Sequence, residues 1–179
     1  PFHWYDYRFN LEKYSKLAPQ HYTGEVPELL VKLILRNKFE SILDCGCGDG
    51  SILYGLKKRK LIKDSLIYAV DLSKKRIALV KKISSKFIAK VDSAENLKTI
   101  KSNSIDLLIT TQVIEHVDDK KMSRAMNRVA KKGGIVYLST VYKKWYGLYF
   151  YKNEIGWVLD PTHLREYRRD DQLLEILDK

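Results

Sequence analysis

The sequence predicts an α/β fold, a doubly wound and mostly parallel sheet covered by helices on both sides. Three observations carry this prediction. Five short runs are nearly continuous in apolar residues, as expected of strands buried on both faces. Helix-compatible segments lie between them, which implies right-handed crossovers and a parallel sheet. Three glycines, Gly46, Gly48 and Gly50, crowd the first strand-to-helix junction in "SILDCGCGDGSILYGL".

The elements follow in order. Residues 1–25, rich in aromatics, read as an N-terminal cap segment. "VPELLVKLILRNK" (26–38) is an apolar-periodic helix with Pro27 near its start. "SILDCG" is the first strand, and "GSILYGLKKRKL" the helix after it. "SLIYAVDLS" (65–73) is the second strand, followed by "SKKRIALVKKI", which Ser73 can cap. "KFIAKVDS" (86–93) is a shorter third strand and "SIDLLITTQ" (104–112) the fourth. "DKKMSRAMNRVAKK" is a helix that Gly133 and Gly134 should stop, before a fifth strand, "GIVYLSTVY" (134–142). Residues 142–167 look irregular, aromatic and basic, and 168–179 hold a last helix. The core is expected at 26–141, within one domain spanning 1–179.

A chain of 179 residues with 45% hydrophobic content suits one domain with one core. No segment is long enough to cross a bilayer, and no stretch reads as a secretory leader, although the sequence begins at Pro1 without a Met. Cys45 and Cys47, one residue apart, suit neither an ordinary disulfide nor a zinc site. They read as small buried residues of a reduced, cytoplasmic protein. The net charge of +11 permits a polyanionic partner such as RNA. The lysines are dispersed, however, and solvated helix faces explain most of them.

A turn of glycines lets a ligand approach main-chain N–H groups at the carboxyl edge of a parallel sheet. The spacing is G-x-G-x-G. A dinucleotide fingerprint would need glycine where Ser51 stands, and no P-loop lysine follows Gly50. Asp71, some twenty residues on, ends the second strand, where a carboxylate can accept both hydroxyls of a ribose. It could instead cap the next helix, though Ser73 is better placed for that. Asp92 ends the third strand. Its carboxylate could accept from an exocyclic amine while the Ser93 or Ala94 N–H donates to a ring nitrogen.

"ILDCGCGDG", "AVDLS", "VDSAENL", "IDLLITTQVIEHV" and "VAKKGGIVYLST" together resemble the successive motifs of class I S-adenosylmethionine-dependent methyltransferases, in particular the ubiquinone-biosynthesis-like group. The resemblance runs from about residue 30 to 140, and "DPTHLREYRRDDQLLEIL" resembles a segment that follows the fifth strand there. It implies a Rossmann-like sheet of order 3-2-1-4-5 and S-adenosylmethionine as cofactor. The turn 46–50, Cys47 included, would lie under the methionine and ribose. Asp44 would sit near the methionine ammonium, Asp71 at the ribose hydroxyls, and Asp92, Ser93 and Ala94 at the adenine, with Leu72 also among the cofactor-binding residues. Thr111 and Gln112 would meet the methionine amino group. The family adds a sixth strand and an antiparallel seventh, which are expected outside this sequence.

Methyl transfer needs alignment of the nucleophile, and an oxygen nucleophile benefits from a base or a metal. Glu115, His116 and His163 are the catalytic candidates. They could also hold a divalent ion with Gln112 as a weak fourth partner, as small-RNA 2′-O-methyltransferases and some ubiquinone-type enzymes do. The RNA enzymes have Glu where Gln112 stands, and no metal is assigned here. Without a metal, Glu115 and His116 would be a helix-start pair and His163 would pack a loop. Trp4, Tyr5, Tyr14, Tyr22, Trp145, Tyr146 and Trp157 flank the core and would form a lid over the acceptor. The expected activity is methyl transfer to a small molecule, most plausibly at oxygen. RNA-directed transfer and a non-catalytic cofactor-binding module are the alternatives. The first of these requires the basic residues, Arg165, Arg168 and Arg169 among them, to merge beside the methyl site.

Overall fold

The computed structural model describes residues 24–145, 151–153, 156–158, 160 and 163–177. Residues 1–23 of the cap segment, with Trp4, Tyr5, Tyr14 and Tyr22, lie outside these residues, as does Tyr146. Helix α1 (Glu28–Arg36) precedes strand β1 (Ser41–Cys45), which leads into α2 (Ser51–Lys58). Strand β2 (Leu66–Asp71), helix α3 (Lys74–Ile83) and strand β3 (Ile88–Val91) follow. Strand β4 (Ile105–Thr111) runs into a 3-10 turn (Ile114–His116), helix α4 (Asp119–Val129) and strand β5 (Ala130–Ser139). Strands β6 (Tyr151–Asn153) and β7 (Gly156–Val158) and helix α5 (Asp170–Leu177) complete the described chain.

The main sheet has the order β3-β2-β1-β4-β5, and all its pairs are parallel. Each strand buries alternate residues toward opposite faces. Ile42, Ile67, Leu107 and Ile109 pack with Leu30 and Ile34 of α1, Leu53 and Leu56 of α2, and Ile77 and Val80 of α3. Leu43, Cys45, Val70 and Leu108 face the other way. They meet Met122, Ala125 and Met126 of α4 and the loop residues Leu97 and Ile100. Both sheet faces are therefore covered, and every residue of β1 is buried. Ser73 caps α3 as expected, its hydroxyl accepting from the Arg76 N–H at 3.4 Å.

Two local expectations need correction. Gly133 and Gly134 do not stop α4; that helix ends at Val129, and both glycines lie inside β5. A Cβ on Gly134 would come within 3.0 Å of the Lys131 and Ile105 carbonyl oxygens, so glycine here permits close passage of β5 past β4, where the register shifts between Ile105 and Leu107. The segment expected to be irregular contains the antiparallel pair β6–β7. Among the described residues no helix is long and apolar enough to cross a membrane.

Candidate functional site at the carboxyl edge of the sheet

The turn after β1 folds back onto β2. The Gly46 and Cys47 N–H groups both donate to the Val70 carbonyl, at 2.8 and 2.9 Å. The Gly48 N–H donates to Asp71 Oδ2 at 3.0 Å, and the Ser73 N–H to Asp71 Oδ1 at 2.8 Å. Asp71 thus points at the turn and ties it to the start of α3. Its carboxylate is also 3.8 Å from Arg76 Nη1.

Gly46, Gly48 and Gly50 all have positive φ. Two of them differ in an informative way. A Cβ on Gly46 would come 2.4 Å from Val113 Cγ2, so glycine is required there for packing. A Cβ on Gly48, at φ +56°, would meet nothing within 4 Å. Space therefore opens above the backbone at the middle of the turn.

The electrostatics of this hollow are acidic. Asp44, Asp49 and Asp71 are all buried. Asp49 Oδ1 accepts from the Ser51 N–H and hydroxyl and so starts α2. Asp44 Oδ2 is buried without a hydrogen-bond partner. Burial, reinforced by the like charges of Asp71 and Asp49, pushes the Asp44 carboxyl up to about 7. An orphaned, buried acid beside an open glycine turn suits a cation and disfavours a phosphate. The donor set therefore fits S-adenosylmethionine, which carries an ammonium and a sulfonium and no phosphate. The cysteines contribute no reactivity: both thiols are raised, chiefly by burial and by Asp44.

The neighbouring strand tips complete one wall. Leu72 and Val91 are exposed apolar side chains at the ends of β2 and β3. Asp92 is more occupied than the sequence suggests. Its Oδ1 accepts from the Ser93 N–H, and its Oδ2 from the N–H and hydroxyl of Thr99. The Ser93 amide is thus engaged internally. At the tip of β4, Thr111 is partly buried and Gln112 exposed; the Gln112 N–H donates to the Ser139 carbonyl. Gln112 has φ +53°, a conformation that costs a non-glycine residue about 1–3 kcal/mol and is concentrated at functional sites.

The 3-10 turn after β4 brings the catalytic candidates together. One donor atom each from Glu115, His116 and His163 lies within 4.8 Å of the others. The imidazoles of His116 and His163 meet edge to face, with centroids 4.8 Å apart. Burial raises the Glu115 carboxyl above its ordinary range, while its own N–H, the Thr140 hydroxyl and His163 draw it back. The cluster can move a proton, and its nitrogen and oxygen donors could also take a divalent cation. His163 reaches the turn because the segment after β7 is fastened there. The Leu164 N–H donates to the Glu115 carbonyl at 2.8 Å, Arg165 pairs with Asp119, and the Tyr167 hydroxyl donates to Asp119 Oδ2 at 3.3 Å.

Sequence reasoning missed Glu166. Its Oε1 lies 2.9 Å from His163 Nδ1, and its Oε2 lies 3.3 Å from Lys143 Nζ. The i, i+3 spacing of His163 and Glu166 was the available signal. Of the expected lid residues, Trp145 and Trp157 are exposed.

A family model described as a methyltransferase domain matches residues 43–138, more than half of the chain. A curated relative, a tRNA N(3)-methylcytidine methyltransferase of Schizosaccharomyces pombe, is 29% identical over 122 residues, covering 63% of this chain and 40% of its own. The chain thus spans less than half of that relative's length. Among solved structures, a SAM-dependent methyltransferase from Thermotoga maritima, described as a possible histamine N-methyltransferase, matches with a TM-score of 0.62 at 19% identity, over 98% of this chain and 79% of that one. The YcgJ protein from Bacillus subtilis matches with a TM-score of 0.63 at 18% identity, over 83% of this chain and 64% of that one. The 3-2-1-4-5 sheet, the acidic glycine turn and the family match lead to one conclusion: the chain belongs to the methyltransferase domain family, the class I enzymes that use S-adenosylmethionine.

Proposed function

We propose that this methyltransferase transfers its methyl group to an oxygen of a small-molecule acceptor. The convergence of Glu115, His116 and His163 within 4.8 Å carries the reading, because an alcohol or phenol must lose a proton as it is methylated. When bound, the cofactor supplies an activated methyl on a sulfonium, so the protein mainly aligns the acceptor and excludes water. The Asp44 carboxylate takes the ammonium, Asp71 the ribose hydroxyls, and Leu72, Asp92 and the Ala94 N–H the adenine. Thr111 and Gln112 border the methionine end. His163, assisted by His116 and Glu115, receives the acceptor proton. The β6–β7 hairpin with Trp145 and Trp157 covers the acceptor.

Two ion pairs support a small acceptor. Arg165 is paired with Asp119 and Arg169 with Asp171, so neither offers an unshared charge to a phosphate. A second reading, transfer to RNA, is favoured by the name of the 29%-identical relative. Incubation with methyl-labelled S-adenosylmethionine and separated metabolite and RNA fractions decides between them. Label is expected in the metabolites and to disappear with His163→Asn; label in RNA alone would overturn the small-acceptor reading. A chelator should leave the rate unchanged. A rate lost to chelation and restored by Mg²⁺ or Zn²⁺ would instead assign the cluster to a divalent cation.

A further inference from the structure

We infer that Glu166 is a positioning residue: it fixes the tautomer of His163, and Lys143 holds it in place. The catalytic consequence rests on the reading of His163 given above. The side chains of His163 and Glu166 are almost sealed from water, at 5% and 2% exposure, with Nδ1 and Oε1 2.9 Å apart. An ionised carboxylate only accepts hydrogen bonds. The Lys143 ammonium lies 3.3 Å from Oε2, so a cation faces the second oxygen of this carboxylate. The neutral ring must therefore carry its hydrogen on Nδ1 and its lone pair on Nε2.

The backbone that carries the ring is itself fixed. The His163 N–H donates to the Asp160 carbonyl at 3.1 Å, and the next amide, Leu164, is held by the Glu115 carbonyl. Lys143 is anchored in turn. Its N–H donates to the Tyr167 carbonyl at 2.8 Å, and its ammonium donates to the Trp157 carbonyl on β7. One chain of contacts thus runs from the hairpin through Lys143 and Glu166 to the imidazole. In the transfer step the acceptor oxygen bonds to the methyl carbon as the sulfur–carbon bond breaks. The acceptor proton moves to Nε2, and Glu166 faces the resulting imidazolium through Nδ1–H.

Long-range ¹⁵N–¹H NMR of the intact chain reads the tautomer without any acceptor. The wild-type His163 ring should be the Nδ1–H form, and Glu166→Ala should shift it toward Nε2–H. Glu166→Gln, whose amide oxygen still accepts, should keep the wild-type tautomer but lower kcat by about 10–100-fold, with the cofactor Kd unchanged. A wild-type ring carrying its hydrogen on Nε2, or an unchanged tautomer in Glu166→Ala, overturns the inference. If Glu166→Ala does not fold, the wild-type spectrum still decides. If the tautomer shifts as expected but both Glu166→Ala and His163→Asn turn over normally, the positioning stands and the role of His163 as base falls.

Discussion

Asp44 sits on the central strand, buried and with one oxygen unpartnered, in a position where an aspartate weakens the empty protein. Its carboxyl is raised to about 7 from an ordinary 3.8, so between those values the folded chain binds more protons than the unfolded one. Stability of the cofactor-free protein therefore falls as pH rises through that window and is lowest above it. Asp44→Asn removes this penalty. It should raise the Tm of the empty protein at about pH 8, with the gain shrinking toward about pH 4. A bound cation selects the carboxylate, so cofactor affinity should weaken below about pH 7 in the wild type. In Asp44→Asn it should be weak throughout and nearly independent of pH. Calorimetry and thermal melts across this range check both halves. A lower Tm for the empty Asn variant at about pH 8 would contradict the burial argument. This residue was legible in the sequence because its position at a strand tip before glycines constrains it. Glu166 was not, because its importance comes from two residues, His163 and Lys143, that only the folded chain brings to it.

At the scale of elements, the long apolar runs located β1, β2 and β4 to within a residue or two, since a strand buried on both faces leaves little room for polar positions. β5 was less legible. It is a sheet edge, none of its residues is fully buried, and its first residues read as the end of a helix. The segment bearing His163 was legible only by resemblance, because non-local contacts hold it. Asp119, in the first turn of α4, receives both Arg165 and the Tyr167 hydroxyl. Replacing it by Ala leaves Arg165 without that partner and frees the segment from α4, at a cost of about 1–3 kcal/mol. Hydrogen exchange in Asp119→Ala should accelerate at the Leu164 and Lys143 amides and stay unchanged in β1. Turnover should fall while the cofactor Kd holds, because the turn 46–50 is held by hydrogen bonds to Val70 and Asp71 on β2. Equal acceleration in β1 would show that the segment and the sheet open together.

Over the whole molecule, the net charge of +11 falls on both edges of the sheet. Lys57 and Lys58 end α2, and Lys81 and Lys82 end α3. These helix C-termini lie at the amino edge of the sheet, where the Leu66 N–H donates to the Glu40 carbonyl just before β1. Lysines there complement the helix dipoles, which accounts for them without a polyanion. The carboxyl edge carries the buried trio Asp44, Asp49 and Asp71, with Arg76 beside Asp71. Lys74 and Lys75 open α3, and Lys120 and Lys121 lie in the first turn of α4, so a nucleic acid approaching the methyl site would meet lysines as well as acids at that edge. Salt separates the two acceptor classes. A protein that neutralises 6–10 phosphates loses about 10³–10⁵ in affinity between 50 and 200 mM salt. For a small neutral acceptor, the same change should alter kcat/KM by less than about threefold, since only the screened interaction with the cofactor's charge is affected. Steady-state kinetics over that salt range, at saturating cofactor, give the answer. A steep, log-linear loss would mean that the basic residues do converge on the acceptor, and the charge map would have to be read as an RNA footprint.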